Sequence, residues 1–561
     1  MGNTPWAYLD AYRGTAVKGT WPTMVEAFKI TASRYGERPC FTIYEPDRIS
    51  LSYSEALGII ERVSRWLHSR GIRHGDRVAL TGKNSPEWAL AFIAIHFAGA
   101  VVVPIDYQLH QEEAESLIRF SGARILFVDE EKYEAYGTNL KDLADEIVSL
   151  KQGVGTCLYD LDGPEAAWDL PEENDLAAIL FTSGTMGRPK GVMLSHANLL
   201  ADNYLAQSHI ALGPEDVFYA LLPIHHAYSM TVFIVVMAIG AELVFGKKMV
   251  TKAILRDLKQ ARITLFLGVP MLFNKLLAGI IRGIKAKGPL VYGVITALMA
   301  VSGFVKKTCK VNPGKKMFRF LLDQASLTSV KTCICGGGPL APRVFRKFNQ
   351  LGINFIQGYG LTETSPIITL NPVDHYKETS VGKVLPQVDI RILDADEQGV
   401  GEIIVKGPVV MRGYYEMQEE TAAVFTPEGY LKTGDLGYLD SENYLYLTGR
   451  AKNLIVTDGG KNVYPEEIEN EFQLYEEIDH ILIRSFTADK KLQTEGIEAL
   501  VYPSPDWYPG DTPKERIRAE IEKIVSQVNQ RLLPYQRIDR TIILEEPMEM
   551  TTTKKIKRGS V

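Results

Sequence analysis

The fold of this 561-residue chain is decided by one stretch, Leu180-Phe-Thr-Ser-Gly-Thr-Met-Gly-Arg-Pro-Lys-Gly-Val-Met-Leu-Ser-His196. The apolar run at 176–181 leads into it and is typical of a buried strand. Gly184, Gly187 and Gly191 permit positive φ angles and leave room for the backbone to close around an anion. The stretch therefore predicts a loop that binds phosphate groups.

The side chains of this loop support the same interpretation. Hydroxyl groups of Thr182, Ser183 and Thr185 can donate hydrogen bonds, and Lys190 adds a compact positive charge. The loop is not a Walker A motif, which needs Gly-Lys-Ser/Thr at the start of a helix. Here a second strand is predicted after Lys190, and Ser195 is expected to cap the next helix. Taken alone, a polar hairpin turn between two strands is the alternative.

The motif Thr-Ser-Gly-Thr-x-Gly-x-Pro-Lys-Gly at 182–191 resembles the signature of the adenylate-forming enzymes. These include acyl-CoA synthetases, firefly-type luciferases and the adenylation domains of peptide synthetases. The resemblance implies an α/β fold in which residues 1–449 form a large domain of two parallel α/β subdomains plus a small β-barrel. A hinge at 450–453 and a small mobile α+β domain at 454–561 would follow. It also implies ATP, Mg²⁺ and coenzyme A as ligands.

The segments before residue 175 agree with this class, because strand-like and helical stretches alternate there and indicate a parallel sheet.

A second motif is Gln357-Gly-Tyr-Gly-Leu-Thr-Glu-Thr-Ser365. Its glycines allow close approach to a flat base, Tyr359 offers a stacking face, and Thr362 with Glu363 offers oxygen ligands to a hard cation. By resemblance, Glu363 binds the Mg²⁺ that accompanies ATP, together with Thr182. The nucleotide-binding residues implied here are Gln357, Gly358, Tyr359, Gly360 and Thr362.

Two further motifs complete the predicted nucleotide site. Lys432-Thr-Gly-Asp-Leu-Gly-Tyr438 presents Asp435, which can accept hydrogen bonds from both ribose hydroxyl groups, and the resemblance directs Arg450 to the same ribose. Cys335-Gly-Gly-Gly-Pro-Leu340 would line the acyl tunnel and the adenine pocket with Gly337 and Gly338. The family has alanine where Gly338 stands, so the smaller residue favours a bulky or long acyl chain.

Two histidines follow the phosphate loop in Leu222-Pro-Ile-His-His-Ala-Tyr-Ser229. The family places a His or aromatic cluster here, beside the acyl group and the α-phosphate. His226 is therefore a candidate catalytic residue and Tyr228 a candidate pocket wall. The alternative for a histidine beside an apolar helix is a structural role in the core.

The C-terminal part carries the predicted second half-reaction. Asn453 stands at the hinge position, where relatives usually have Asp or Lys. Thr457-Asp-Gly-Gly-Lys-Asn-Val-Tyr-Pro-Glu-Glu-Ile-Glu469 resembles one wall of the family's thiol channel, with Gly459, Gly460 and Lys461 as coenzyme A contacts. The closing motif places the adenylation lysine at Lys555, although Lys554 stands where the family has glycine.

Composition sets the wider limits. The net charge of −6 and a pI near 6.0 give no reason to expect a nucleic-acid partner. Five scattered cysteines favour a reducing compartment and form no metal-ligand array. The first residues lack the layout of a signal peptide. We therefore expect a cytoplasmic protein.

Residues 258–322 contain no Asp or Glu, and within them 288–305 carries no charge at all. Eighteen uncharged residues only just reach the length that spans a bilayer, and Pro, Ser, Thr and Gly dilute them. Lysines flank the segment on both sides and would favour anionic lipid headgroups. A peripheral contact through 282–316 with the inner face of the membrane is predicted, with a helical hairpin packed on the large domain as the alternative.

The chemistry follows from charge. A fatty carboxylate is ionised at pH 7 and needs no base, but its attack on the α-phosphate needs cations. Lys555, Mg²⁺ on Glu363, and Lys190 in the loop are assigned this role. The sequence predicts an AMP-forming ligase that joins a long-chain fatty acid to coenzyme A. The alternatives are a ligase that uses an acyl-carrier protein and a catalytically idle membrane sensor of acyl groups or nucleotides.

Overall fold

A computed structural model describes residues 4–137, 143–182, 189–247, 250–457, 461–489, 494–551 and 556–558. They form two large sheets with covering helices, followed by a small C-terminal unit. The predicted α/β class, with a large N-terminal and a small C-terminal part, is confirmed.

The first sheet has five parallel strands and an antiparallel edge. Its order is β18 (Gly413–Tyr414), β8 (Lys190–Ser195), β7 (Leu176–Thr182), β4 (Val101–Ile105), β3 (Arg77–Thr81), β5 (Ile125–Val128) and β6 (Glu146–Ser149). The strands β7 and β8 pair antiparallel on either side of the predicted phosphate loop, with Thr182 opposite Lys190.

The second sheet has thirteen strands. Its order begins with β2 (Ile49–Ser52), β1 (Pro39–Ile43), β10 (Glu242–Phe245), β9 (Val217–Ala220), β11 (Leu265–Gly268), β12 (Thr332–Cys335) and β13 (Asn354–Tyr359). From β1 to β13 these strands are parallel. The order continues antiparallel with β14 (Thr369–Leu370), β15 (Gly382–Val384), β20 (Tyr444–Arg450), β19 (Leu431–Leu439), β17 (Gly401–Lys406) and β16 (Asp389–Leu393).

The region for which a small β-barrel is predicted is thus an extension of the second sheet. The strand β14 pairs with β13, the last parallel strand, and in the described part of the chain the order ends at β16 without a pairing that closes a barrel. Motif spacing reveals strands and turns, but it does not reveal whether the end strands pair with each other.

Fourteen helices accompany the two sheets in the described residues. They are α1 (Met24–Tyr35), α2 (Tyr53–Ser69), α3 (Pro86–Phe97), α4 (Gln111–Ser121), α5 (Glu130–Gly137), α6 (His196–Ala206), α7 (Ala227–Ile239), α8 (Thr251–Gln260), α9 (Pro270–Lys285), α10 (Pro289–Cys309), α11 (Gly314–Met317), α12 (Arg319–Gln324), α13 (Pro342–Gln350) and α14 (Gln418–Val424). The helices α3 and α7 are apolar on all sides and lie in the core shared by the two sheets, as such a pattern requires. The predicted cap is confirmed, because Ser195 Oγ accepts a hydrogen bond from the Asn198 amide at the start of α6 (3.1 Å).

The C-terminal unit has a separate core, built from buried residues between Ile455 and Ile538. A 3-10 turn, Ala451–Asn453, leads into it at the predicted hinge. Its elements are β21 (Ile455–Val456), β22 (Asn462–Val463), α15 (Pro465–Asn470), β23 (Ile478–Asp489), β24 (Thr494–Pro503), α16 (Lys514–Asn529) and β25 (Arg540–Ile543). Gln473 joins it to the large domain through Pro339 O (2.9 Å) and the Ala341 amide (2.8 Å).

The uncharged segment of the sequence forms α10. This helix is long and apolar enough to cross a membrane by length and composition, with a mean hydropathy of 1.6 over its best window. One stripe of it, Ile295, Met299, Ser302 and Lys306, is buried against the large domain. The predicted packing of this segment on the large domain is therefore present on one face only.

Candidate active site

A cleft of about 2890 Å³ lies where the two sheets and the C-terminal unit meet. The carboxyl ends of β7, β11, β12 and β13 open into it, which is the usual location of ligand sites in parallel α/β sheets. The predicted site residues that line it are Thr182, Lys190, His226, Gly337, Gly338, Gln357, Gly358, Tyr359, Gly360, Thr362, Glu363, Asp435 and Arg450.

Several predicted residues lie outside the described part of the chain. These are Ser183, Gly184, Thr185 and Gly187 of the phosphate loop, Gly459 and Gly460 of the thiol wall, and the adenylation residue Lys555. Residues on both sides of Lys555, Thr551 and Ile556, do line the cleft. Lys461 is exposed and is not among the residues that line the cleft.

Asp435 lines the cleft from β19, and its partners come from two other strands of the same sheet. It is opposite Arg450 in the pairing of β19 with β20, and its Oδ1 lies 2.8 Å from Arg450 Nε. Its Oδ2 accepts a hydrogen bond of 2.6 Å from the Tyr359 hydroxyl at the end of β13. Burial, and then the charge of Asp435, raise the pKa of Tyr359 well above its ordinary value, so the phenol stays a donor. A carboxylate has about four acceptor positions, so capacity remains for ligand hydroxyl groups.

Glu363, Tyr414 and Lys190 form a second group, at the phosphate loop. The Tyr414 hydroxyl on β18 donates to Glu363 Oε1 (3.0 Å), and Lys190 Nζ lies 4.6 Å from the centre of the Tyr414 ring. Burial and the negative charge of Glu363 raise the pKa of Tyr414. The tyrosine therefore links the predicted metal ligand to the predicted cation.

The turn that carries Glu363 requires a glycine at its start. A Cβ on Gly360 would lie 1.6 Å from Pro366 O, so no other residue fits without moving the backbone. Glu363 itself stands in the 3-10 turn Thr362–Thr364, and its carbonyl accepts from the Met411 amide (2.9 Å). Its position is therefore fixed by the backbone.

Two sets of residues have the chemistry of cation ligands. Glu363 and Thr182 line the same cleft and offer the carboxylate and hydroxyl oxygens that suit Mg²⁺, so the residues present fit this ion. Asp106, His225 and His226 have ligand atoms within 4.8 Å of one another, a set typical of transition metals. His225 is buried, and its Nε2 lies 3.4 Å from Asp106 Oδ1.

The three glycines after β12 form a smooth wall. A Cβ on Gly336 would lie 2.9 Å from the Tyr228 ring, and Gly337 has a φ of 77°, in the left-handed region that favours glycine. The Tyr228 hydroxyl donates to Gly268 O (3.2 Å) and Ile334 O (3.1 Å). Tyr228 is thus a fixed wall of the cleft.

One part of the cleft lining is apolar and comes from the segment after α6, from α7 and from β11; we call this part the apolar arm. It is lined by Ile210, Val232, Val235, Leu265 and Leu267. Asn203 on α6 also lines it; this side chain is fully buried, and its Oδ1 has no hydrogen-bond partner in the described residues.

An ion-pair network holds the C-terminal tail. Arg558 Nη2 lies 2.7 Å from both carboxylate oxygens of Glu469, and Arg558 Nη1 donates to Ile483 O (2.9 Å). On the same helix, α15, Glu466 accepts a hydrogen bond from the hinge residue Asn453 (2.6 Å). Burial raises the pKa of Glu469, and the charge of Arg558 opposes that shift. The hinge and the tail are therefore both bonded to α15.

Sequence reasoning assigned no role to Tyr414, Asn203, Arg558 or the glutamates of α15. Tyr414 lies 51 positions from Glu363 along the chain, and only the pairing of β18 with β8 brings it to the loop. Arg558 belongs to the same closing motif as Lys555, Lys555-Ile-Lys-Arg558, so the motif was a usable signal. Asn203 gives none, because an Asn in a helix is ordinarily exposed.

Comparison with known proteins agrees with this geometry. The family model of the AMP-binding enzymes matches residues 28–415. The feruloyl-CoA synthase of Amycolatopsis sp is 26% identical over 97% of this chain and 98% of its own. The long-chain-fatty-acid–CoA ligase of Bacillus subtilis (strain 168) is also 26% identical, over 94% of this chain and 92% of its own.

A solved structure gives the same result for the fold. ATP-bound MatB from Rhodopseudomonas palustris superposes with a TM-score of 0.76 at 26% identity, covering 96% of this chain and 98% of its own. The cleft, its strand-end residues and the matched length lead to one conclusion: the chain belongs to the AMP-binding enzyme family, within the superfamily of adenylate-forming acyl- and aryl-CoA ligases.

Proposed function

We propose that this protein is an AMP-forming ligase that activates a long-chain fatty acid with ATP and transfers the acyl group to coenzyme A. The observation that carries the proposal is the apolar arm, which opens into the same cleft as Asp435 and Glu363. A hydrocarbon chain gains about 0.8 kcal/mol for each methylene group that such an arm buries. The Bacillus ligase named above supports the same substrate class.

The nucleotide is assigned to the polar end of the cleft. Asp435 and Arg450 would hold the ribose, and the base would lie between Tyr359 and the wall formed by Gly337 and Gly338. The backbone of Gln357, Gly358 and Gly360 would also approach the base, and Thr362 would lie next to this backbone. Glu363 and Thr182 would hold Mg²⁺, which when bound supplies positive charge at the phosphate oxygens.

In the first step a carboxylate oxygen of the acid forms a bond to the α-phosphorus of ATP. The bond from that phosphorus to the pyrophosphate oxygen breaks, and acyl-adenylate and pyrophosphate result. Lys190 and Lys555 would offset the charge that builds up, and His226 would lie beside the reacting groups. Ser183, Gly184, Thr185 and Gly187 are proposed to bind the phosphates.

In the second step the sulfur of coenzyme A attacks the acyl carbonyl carbon, the thiol proton is lost to solvent, and AMP leaves. A thiol with a pKa of about 8.5 already supplies some thiolate at neutral pH. The channel for the thiol is assigned to Gly459, Gly460 and Lys461, after rotation of the C-terminal unit about 450–453.

A substrate panel tests this proposal. Unbranched acids from acetate to icosanoate are assayed for AMP release with ATP, Mg²⁺ and coenzyme A, and the activity should rise with chain length. Activity with acyl-carrier protein but not with coenzyme A would favour that acceptor. Absence of acid-dependent exchange of pyrophosphate into ATP would favour a sensor instead.

A second candidate substrate is an aromatic hydroxy acid, and Asn203 favours it. Its unpartnered oxygen in the apolar arm could accept a hydrogen bond from a phenol, and the feruloyl-CoA synthase named above supports this class. Asn203→Leu should leave fatty-acid activity unchanged or raised if the first candidate is correct. If the second is correct, kcat/KM for hydroxycinnamic acids should fall by roughly 10- to 100-fold, because a buried donor loses its acceptor.

We also propose a cytoplasmic location, at the inner face of the membrane. All five cysteines are free, as in reducing compartments, and the described charge-free segment forms an exposed helix.

A further inference from the structure

The outer face of α10 is a continuous apolar surface. Leu290, Val294, Val301 and Phe304 are 81%, 52%, 56% and 68% exposed. At 3.6 residues per turn these side chains, with Val291 and Leu298, fall within an arc of about 140°. We call this set of six residues the α10 ridge. Large exposed apolar patches on a water-soluble protein mark an interaction site.

Lysines stand on both sides of the α10 ridge along the chain, and Asp323 at the end of α12 is the first acidic residue after it. Lys285 and Lys287 precede the helix, Lys307 lies in its last turn, and Lys316 follows it; all four are exposed. Lys287 Nζ lies 5.1 Å from the ring of Phe320 on α12, which is itself 46% exposed. Phe320 adds another exposed apolar side chain next to one of these lysines, and the chain has no Asp or Glu between 258 and 322.

The inner face of α10 is held firmly. Lys306 Nζ donates to Asn349 Oδ1 (2.7 Å), Ile353 O (3.2 Å) and Asn354 Oδ1 (2.9 Å), and a Cβ on Gly303 would lie 2.7 Å from Gln350. These contacts fix the helix to α13 and to the start of β13. The helix therefore cannot leave the domain to span a bilayer without breaking a buried polar network.

We propose that the α10 ridge docks on an anionic lipid surface, with the helix lying in the plane of the interface. Six apolar side chains would enter the boundary between headgroups and acyl chains, and the bordering lysines would contact lipid phosphates. A second copy of this chain would meet the same positive border and be repelled, so charge complementarity favours the lipid.

Docking in this orientation would bring the substrate entrance near the membrane. The helix α9 packs between α10 and the cleft: Ile280 and Ile284 share a core with Ile295 of α10, while Ala278 and Gly279 line the cleft. A fatty acid that leaves the bilayer would then reach the cleft without crossing bulk water. This last step rests on the proposed function; the docking itself does not.

Vesicle flotation without substrate tests the docking. The wild-type protein should float with vesicles of phosphatidylcholine mixed with phosphatidylglycerol, and less with phosphatidylcholine alone. Leu290→Ser with Phe304→Ser should lower the bound fraction by at least about tenfold, because each side chain loses its transfer into lipid. Leu170→Ser with Leu533→Ser changes two leucines elsewhere that are 42% and 51% exposed, and this variant should bind as wild type. Circular dichroism confirms that each variant is folded.

A second pair of variants tests the lysines that border the α10 ridge. Lys285→Gln with Lys287→Gln removes two of these charges, and Lys18→Gln with Lys523→Gln is the matched control. Only the change at Lys285 and Lys287 should weaken binding to anionic vesicles. The proposal would be overturned if the Leu290→Ser, Phe304→Ser variant floated as well as the wild type. It would also be overturned if the wild type bound equally to anionic and to uncharged vesicles. The same holds for a lipid-free dimer, seen by sedimentation velocity, that the serine variant dissociates. Failure of the ligase assay would leave flotation unaffected, so the two proposals fail separately.

Discussion

At the scale of single residues, Asp435 combines the contacts that a ribose site needs. Its carboxylate is buried, is held by Tyr359 and Arg450, and still faces the cleft. The two partners fix the side chain before a ligand arrives, so little ordering remains to be done on binding.

Asp435→Asn should raise the KM for ATP about 10- to 100-fold, because hydrogen bonds to a charged acceptor contribute about 1.5–3 kcal/mol. Acid-dependent ATP–pyrophosphate exchange measures the effect. Asp440→Asn is the matched control, since Asp440 lies on the same hairpin and pairs with Lys377 outside the cleft. Equal KM values for the Asp435 variant and wild type would contradict the assignment.

Tyr414→Phe removes the hydrogen bond that orients Glu363. We expect the Mg²⁺ concentration at half-maximal rate to rise about 3- to 10-fold, as for loss of one bond of about 1 kcal/mol. Titration of the exchange rate with Mg²⁺ measures it.

The neighbouring substitution Tyr415→Phe is the control, because that hydroxyl makes only a long contact with Ser121 O (3.4 Å). If both variants respond to Mg²⁺ as wild type does, Tyr414 has no part in positioning the metal ligand.

At this scale the sequence predicted residues that lie within a motif and missed those that only folding brings close. Asp435, Arg450 and Glu363 were named from local patterns, and all three line the cleft. Tyr414 was not named, because its role depends on the edge strand β18 meeting β8, a pairing that leaves no periodic signal in two residues.

At the scale of elements, the tail that carries Lys555 is fixed to α15 by Arg558. The bidentate pair with Glu469 also has backbone support from Ile483. Since α15 also holds the hinge residue through Glu466, one helix connects the hinge with the adenylation segment.

Arg558→Lys keeps the charge but removes the second nitrogen, so Glu469 and the Ile483 carbonyl are no longer bonded by separate donors of one planar group. We expect acyl-adenylate formation to slow about tenfold, while thioester formation from supplied acyl-adenylate stays within about twofold, because only the first step is assigned to Lys555. Single-turnover measurements of the two half-reactions separate these effects.

Arg531→Lys is the matched control, because Arg531 pairs with Glu471 in the same unit and neither residue is among those that line the cleft. Equal slowing of both half-reactions, or a lower melting temperature of the Arg558 variant, would point to a purely structural role.

The types of the elements, helix or strand, were predicted more reliably than the pairing of the strands at the sheet edge. The strand before the phosphate loop, the strand after it and the capped helix α6 all follow from apolar runs and a capping serine. The antiparallel strands were expected from the resemblance as a small β-barrel, but the pairing of β14 with β13 depends on tertiary packing that sequence spacing alone does not encode.

At the scale of the whole molecule, two bodies share one cleft. The C-terminal unit has its own core and meets the large domain through few polar contacts, including Gln473 with Pro339 and Arg282 with Glu476 (2.7 Å). A small polar interface of this kind is compatible with rotation about the 3-10 turn Ala451–Asn453. Charge-assisted surface pairs contribute little and can be exchanged for others at low cost.

The exposure of α10 is also a property of the whole molecule. Sequence composition located the apolar segment, but only the fold shows that one face of the helix is buried and the other is exposed to solvent. An apolar run has the same sequence pattern whether or not another element covers it. The exposed α10 ridge could therefore not be predicted from the pattern alone.

The central claim is that this chain activates a fatty carboxylate as its adenylate. The most direct measurement is palmitate-dependent exchange of labelled pyrophosphate into ATP, compared between the wild type and Lys555→Ala. We predict exchange that requires palmitate and Mg²⁺ in the wild type and a loss of roughly 10²-fold or more in the variant. Exchange that does not depend on a carboxylic acid, or that is as fast in the variant, would contradict it.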